Sequence, residues 1–312
     1  MNKHLKLFAN HTAYEAAKNN IDKPNVVMCQ QEDEVHYTPK KAKLLDYLFN
    51  DGTFGADIVD GKTPVGICVA PASHFADGKS RFMSLKEMTT GSTSGITTHE
   101  GIVWNTTDTD AGLTKFATVA VVDGKGVVKG INEYGFIPAK RAAWSGNTQP
   151  ADRPVDGVYY ASGIDTSNPS AYPFLEDGSL NPNYAATEYN GSTIVNMLTD
   201  VSGATNTTYL VNKGDTYKAA NACHSFTPGT HNGEWYLPAM GELGYTIASF
   251  DDINAKIAAA GNDKGVQLDD RAAYWSSTES SETNACHLFM GYGRVVHRTK
   301  RNNYYVRAFL AL

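Results

Sequence analysis

The stretch GEWYLPAMGEL, residues 233–243, reads as a short aromatic strand that runs directly into a helix. Trp235 and Tyr236 carry the strand, and Leu237-Pro238 opens the helix. Proline is favoured at a helix start, where its missing N–H costs nothing. Glu242 then falls in the first turn, facing the positive end of the helix dipole. Beyond it, YWSSTE at 274–279 reads as a second aromatic strand, and the chain closes on YYVRAFLAL at 304–312. Singly, Trp235 and Trp275 are core aromatics on strands. Their order along the chain is what carries information.

Working outward, Leu243, Ile247, Phe250, Ile253 and Ile257 recur at spacings of three and four, which predicts a helix over 239–260. Two shorter helices are expected upstream. Ser192 caps one over 192–200, with Ile194, Met197 and Leu198 on a face, and Asp215 caps another over 215–224. TPVGICVA (63–70) is a continuous apolar strand, and 115–130 folds as a hairpin around Asp123-Gly124. Residues 142–190, rich in Gly, Pro, Ser, Asn and Tyr, read as ordered loop. From Tyr274 the strands return: YWSST, HLFM, GRVVHRT and YYVRAFLAL. Strands, helices and strands again make the chain α+β, with antiparallel strands and a few helices. Residues 1–56 differ in texture: Leu5, Phe8, Tyr14 and Ala17 have loose helical spacing, Val26–Met28, Val35 and Tyr37 suggest short strands, and DGTFG at 51–55 interrupts the pattern. They are expected to form a short appended segment, with the main domain over 57–312.

Composition narrows the function classes. The 312 residues are 41% hydrophobic and 19% charged, with a formal net charge of −6, so the chain as a whole does not present the positive charge of a nucleic-acid binder. Cys29, Cys68, Cys223 and Cys286 lie far apart, with no CxxC to hold zinc or begin a disulfide framework. The N-terminus lacks the apolar stretch of a signal peptide, and no run approaches the ~18 apolar residues of a membrane span. Charge is unevenly placed, however. Between Thr283 and Leu312 there is no Asp or Glu, while Arg294, Arg298, Lys300, Arg301 and Arg307 are all present. A block of one sign at a terminus marks a surface that meets something, or else a solvated strand pair.

Enzyme signatures are absent. GSTSG at 91–95 has Thr93 where a nucleophile elbow needs serine. There is no phosphate-binding glycine loop, no dinucleotide-binding glycine triplet and no zinc-protease helix. His224 and His231, with Cys223 and Glu234 as local candidates, are the nearest approach to a metal-ligand set, and surface or capping roles suit them better. Asp251-Asp252 and Asp269-Asp270 fit caps and turns. No catalytic residue, metal ligand or cofactor is therefore expected.

Taken together and in order, Trp235-Tyr236-Leu237-Pro238 with Glu242-Leu243, then Tyr274-Trp275-Ser276-Ser277-Thr278, then Tyr305-Val306-Arg307-Ala308-Phe309 resemble the bacterial and phage branch of the C-type lectin-like fold. That branch includes formylglycine-generating-enzyme-like proteins and the C-terminal domains of collagen-like adhesins. The resemblance covers about 190–312 well and 64–189 loosely, and it is specific for fold but not for ligand. It implies a scaffold of Trp235, Leu237, Pro238, Glu242, Trp275, Val306 and Arg307. A calcium-dependent sugar site of this fold is not written here, since there is no Glu-Pro-Asn and Trp104-Asn105 lacks a following Asp. The oxidase of this fold would imply paired reactive cysteines near the C-terminus, where Cys286 stands alone.

A closer resemblance is to the variable proteins of diversity-generating retroelements, in which a C-terminal stretch is rewritten on a constant scaffold. It implies a variable region at about 284–307 that displays His287, Phe289, Tyr292, Arg294, His297, Thr299 and Arg301 for ligand binding. Ala285, Leu288, Gly293, Val295 and Val306 would pack beneath, as the alternation of strand residues allows. Cys286 departs from the pattern, standing where relatives have Trp. The N-terminal run is similar to the starts of gut-phage virion proteins. These resemblances together imply a phage tail-fibre receptor-binding protein, assembled in the host cytoplasm and carried on the virion. Its partners would be a host-cell surface receptor, protein or glycan, and other tail proteins. Fibre symmetry suggests a homotrimer, and no membrane insertion or nucleic-acid binding is implied. The alternative is a bacterial surface or pilus-tip adhesin of the same fold.

Overall fold

The computed structural model describes residues 41–116, 197–290 and 294–312, with strand segments at 5–8, 26–29, 120–122, 128–131, 134–136, 186–189 and 192–195. The chain divides between Lys41 and Ala42. In the first unit, β1 (Leu5–Phe8) pairs in parallel with β2 (Val26–Cys29). Leu5 and Phe8 therefore lie on a strand and not on the loose helix that their spacing suggests.

The second unit, 42–312, opens with β3 (Tyr47–Phe49), β4 (Phe54–Gly55), β5 (Pro64–Ala70) and β6 (Arg81–Ser84). There follow β7 (Ile102–Val103), β8 (Ala120–Val122), β9 (Val128–Ile131), β10 (Tyr134–Phe136), β11 (Ala186–Tyr189) and β12 (Ser192–Val195). Five helices come next: α1 (Gly203–Lys213), α2 (Lys218–His224), α3 (Met240–Leu243), α4 (Tyr245–Ala248) and α5 (Phe250–Ala260). The C-terminal strands are β13 (Ala273–Glu279), β14 (Asn284–Phe289), β15 (Arg294–Thr299), β16 (Asn303–Tyr304) and β17 (Phe309–Ala311). The architecture is α+β, with antiparallel sheets.

Two sheets organise this unit. One has the order β17-β6-β5-β3-β4, the other β10-β15-β14-β13. The expected boundary at 56/57 falls after two strands of the first sheet. DGTFG supplies the tight turn after β3, closed by Phe49 N–H donating to the Thr53 carbonyl at 2.8 Å, and then β4 itself as Phe54–Gly55. Leu48 and Phe49 are buried, which ties 42–56 into the core.

Strand alternation sorts the core into two layers. Ile67, Met83 and Phe309 face a cluster completed by Met240, Leu243, Ile247, Phe250, Ile253 and Ile257 of the helices and by Cys286, Leu288 and Val295. Their sequence neighbours Cys68, Phe82 and Leu310 face the other way, onto Leu210, Cys223, Trp104, Trp235 and Trp275. Burial of both faces explains why 64–70 reads as a continuous apolar run instead of an alternating one.

The helix expected over 239–260 keeps its apolar face but is broken at Gly244 and Ser249 into α3, α4 and α5. That expected over 215–224 is shorter and begins at Lys218. The helix expected over 192–200 is replaced by β12, paired with β11, and a 3₁₀ turn at Met197–Thr199. Its β-branched Thr-Ile-Val run favours the extended form. The helix comes later, as α1. The hairpin expected near 115–130 is present as β8 and β9, while its turn lies outside the described residues; of the loop expected over 142–190, 186–189 form β11 and the rest lies outside the described residues.

Candidate functional site

The C-terminal strands are fixed by buried polar groups that the two aromatic motifs supply. Glu242 lies at the centre of the first set. Its carboxylate accepts from Ala239 N–H at 3.0 Å, Gly203 N–H at 3.2 Å, Tyr236 O–H at 2.9 Å and Arg81 Nε at 2.7 Å. The approach is so close that a Cβ on Gly203 would lie 2.2 Å from Glu242 Oε2, so only glycine fits at the start of α1. Burial pushes Glu242 up to about 7, against the opposing pull of Arg81.

YWSSTE forms β13, whose seven residues are all buried, and its polar side chains are paired in turn. Tyr274 O–H donates to Glu87 at 3.0 Å, and Trp275 Nε1 donates to the Ile102 carbonyl at 3.0 Å. Ser276 donates to the Cys286 carbonyl at 2.8 Å, and Thr278 to Asp200 at 2.7 Å. Ser277 Oγ accepts from Asn206 at 3.2 Å. Glu279 accepts from Ala111 N–H, Leu113 N–H and Lys115, and from Lys300 at very short range. Tyr236 and Phe309 exchange two backbone hydrogen bonds of 2.8 Å, which joins the WYLP segment to β17.

Two of the five cations in the positive C-terminal block belong to this frame. Lys300 is fully buried. Its ammonium donates to Glu279 and to the carbonyls of Thr109 and Glu282, and it lies 5.1 Å from the centre of the Trp104 ring. Burial lowers its pKa while Glu279 opposes the shift. Arg307 is fully buried too; it donates to the carbonyls of Ser84, Leu85, Val266 and Gln267 and lies 3.6 Å from Glu87. A third cation, Arg301, is exposed but paired with Asp108 at 2.7 Å. The block of positive sequence is therefore not a block of positive surface.

Every residue expected in the scaffold is buried: Trp235, Leu237, Pro238, Glu242, Trp275, Val306 and Arg307. The residues expected on display are divided. Thr299 and Arg301 are exposed, and Phe289 and His297 are half-buried. His287 is a correction: at 4% exposure it is interior, edge-on to Trp275 at 5.7 Å and 4.4 Å from the Tyr304 ring. Tyr292, Gly293 and the Arg294 side chain lie outside the described residues.

The pairing of β14 with β15 divides the set further. His287 opposes Val296, and Phe289 opposes Arg294. His287, Phe289 and Val296 share one face. Cys286 opposes His297 and Asn284 opposes Thr299, which puts His297 and Thr299 on the other face, the one that buries Cys286, Leu288 and Val295. His297 and Thr299 are accessible because they lie at the strand end, beyond that core. The display positions thus gather around the β15 end and the turn after it, where exposed Arg298, which opposes Ala285, and exposed Asn303 join them. Arg298, Asn303 and the half-buried Tyr304 were not among the expected residues. Counting β15 from Val296, which opposes His287, would have found Arg298 on the same side.

Cys68, Cys223 and Cys286 are buried free thiols. Burial raises all three, Cys68 to about 12. Among the described residues, no three His, Cys, Asp or Glu side chains come together as a metal would require. His231 instead contacts Glu234 at 3.2 Å.

No protein-family model matches this chain, and no curated protein matches it. It is similar to the crystal structure of a fimbrial protein from Bacteroides ovatus, at 16% identity and a TM-score of 0.43. The match covers 87% of this chain and 49% of that one, so the chain spans about half the length of that protein.

Proposed function

We propose that this chain is an adhesin, a non-enzymatic protein that recognises a cell-surface molecule through the end of its C-terminal sheet. The observation that carries the reading is the interleaving along 284–307. Fully buried anchors (Ala285, Cys286, Leu288, Val295, Lys300, Val306 and Arg307) alternate with the exposed side chains of Arg298, Thr299, Arg301 and Asn303. Such a stretch holds its backbone through residues that cannot change, while its surface residues are free to change. Recognition would then be non-covalent, with Arg and the half-buried aromatics Phe289 and Tyr304 supplying the side-chain types favoured at binding hot spots. The deeply buried thiols of Cys223 and Cys286 support a binding role over thiol oxidation.

In its finer form the reading is a C-type lectin-like receptor-binding protein on a phage tail fibre, diversified at 284–307 and multiplied in avidity by trimeric assembly. A bacterial surface adhesin would use the same surface. Flow cytometry of labelled chain on a panel of bacterial strains tests the shared reading. Replacing Arg298, Thr299, Arg301 and Asn303 together should abolish or redirect cell binding and leave the melting temperature close to wild type. Unchanged binding would remove this surface from consideration. A near-copy of the 3′ coding end, differing mainly at adenines and lying beside a reverse-transcriptase gene, would support the finer form; export genes as neighbours would favour the cell-surface one.

A further inference from the structure

The turn that carries Arg301 and Asn303 does not stand alone at the surface, because a segment far upstream in the sequence is built onto it. β7 pairs with β16, so that Val103 opposes Asn303 and Ile102 opposes Tyr304. Just before β7 the two chains are in tight contact, since a Cβ on Gly101 would lie 3.1 Å from Asn303 Cβ. Just after it, the N–H groups of Trp104 and Asn105 both donate to the Lys300 carbonyl, at 2.9 and 3.1 Å. The Lys300 ammonium in turn donates to the Thr109 carbonyl at 2.7 Å, so one buried lysine holds both the turn and the loop that follows β7. Outermost, Arg301 Nε donates to Asp108 at 2.7 Å.

That loop, 106–110, reads Thr-Thr-Asp-Thr-Asp and has no apolar side chain to bury. Its threonines and Asp110 are exposed, and Asp108 is half-buried. It is nonetheless held in place: Thr106 N–H donates to the Thr216 carbonyl at 3.0 Å, the Thr107 and Thr109 hydroxyls lie 3.0 Å apart, and Asp110 accepts from Lys115 at 2.5 Å. Exposed ion pairs add little to stability. The main effect of Asp108 is therefore to aim Arg301, whose side chain is 66% exposed. An arginine oriented beforehand loses less freedom when a ligand arrives. The charges of Arg301 and Asp108 cancel, as do those of Lys115 and Asp110, which leaves hydroxyl groups as the outward chemistry of the loop.

We infer that loop 106–110 is a second half of the recognition surface, with Thr106, Thr107 and Thr109 meeting an uncharged, hydrogen-bonding part of the ligand and Asp108 acting as a positioning residue for Arg301. The inference rests on the proposed adhesin reading and extends its surface beyond the C-terminal stretch. Lying outside 284–307, this half would stay constant if that stretch is diversified.

The test is flow cytometry of the labelled full chain on a strain that the wild type binds. Thr106→Arg with Thr107→Arg should weaken binding about tenfold or more and leave melting unchanged, since both positions are exposed. Asp263→Arg, an equal change of charge at an exposed position outside both halves, should bind as wild type does. Asp108→Asn should weaken binding about threefold or more in the wild-type chain and no further in Arg301→Ala, because it acts through that side chain. Full binding by the double threonine variant, on a strain where replacing Arg298, Thr299, Arg301 and Asn303 abolishes it, overturns this inference and leaves the adhesin reading standing. Failure of the wild-type chain to bind any strain overturns both. A matching loss in Asp263→Arg would assign the effect to charge and overturn the inference too. A further loss from Asp108→Asn in the Arg301→Ala chain would overturn the positioning role.

Discussion

Lys300 shows how far a residue's role can differ from its charge. It stands in a positive stretch, yet its ammonium is interior and saturated by Glu279 and two carbonyls. Lys300→Met would leave the buried Glu279 dependent on Lys115 and two backbone N–H groups. Breaking one side of a buried pair typically costs about 3–5 kcal/mol, so urea denaturation should show a loss of that order. A loss under about 1 kcal/mol would mean that the pair contributes little beyond its own desolvation. Glu242 makes a pH-dependent prediction. Its folded pKa, about 7, lies above the ordinary 4.5, so the folded state holds this proton more tightly than the unfolded state does. Stability from this group is then fully present below about 4.5 and declines as pH rises through about 7. The stability of wild type minus that of Glu242→Gln should therefore shrink between mildly acidic and neutral pH. A difference that grows instead would show that Arg81 outweighs burial.

At the level of elements, β14 and β15 combine interior and surface on the same strands. Trp275→Ala should cost roughly 3–5 kcal/mol through the cavity it leaves beside His287 and Tyr304. His287→Ala should cost roughly 1–3 kcal/mol, since it removes a buried ring from the same stack. Thr299→Ala and Arg298→Ala should each stay within about 0.5 kcal/mol, and Arg301→Ala, which loses one exposed ion pair, within about 1 kcal/mol. Thermal melting of the five variants separates the two groups. A cheap His287→Ala would return that residue to the display set. The same strands explain why the sequence reading grouped His287 with His297. A period-two count carried on from β14 treats His287 and His297 as sharing a side, yet the register puts them on opposite faces.

For the molecule as a whole, net charge and surface charge part company. The chain carries −6 overall and a positive C-terminal block, but Lys300 and Arg307 are buried and Arg301 is paired. Salt screens exposed charges far more than buried ones. If the C-terminal surface binds cells as proposed, adsorption should decline only mildly with added salt, and a titration of labelled chain with sodium chloride measures this. A steep loss would mean that exposed Arg298 dominates recognition and that the ligand is acidic.

The sequence alone determined the α+β class and the frame. Trp235, Tyr236, Leu237 and Trp275 are interior because each has a large apolar surface to bury, and Pro238 and Glu242 stand where a helix starts. Such demands are local and can be read from residue type and order. Tertiary structure decided which cations were left for the surface, because burial depends on partners far along the chain: Glu87 for Arg307, and Glu279 and Thr109 for Lys300. It also decided that 42–56 belongs to the main sheet and that His287 is covered by Tyr304. Each of these rests on a pairing between segments distant in sequence, and no local pattern encodes such a pairing.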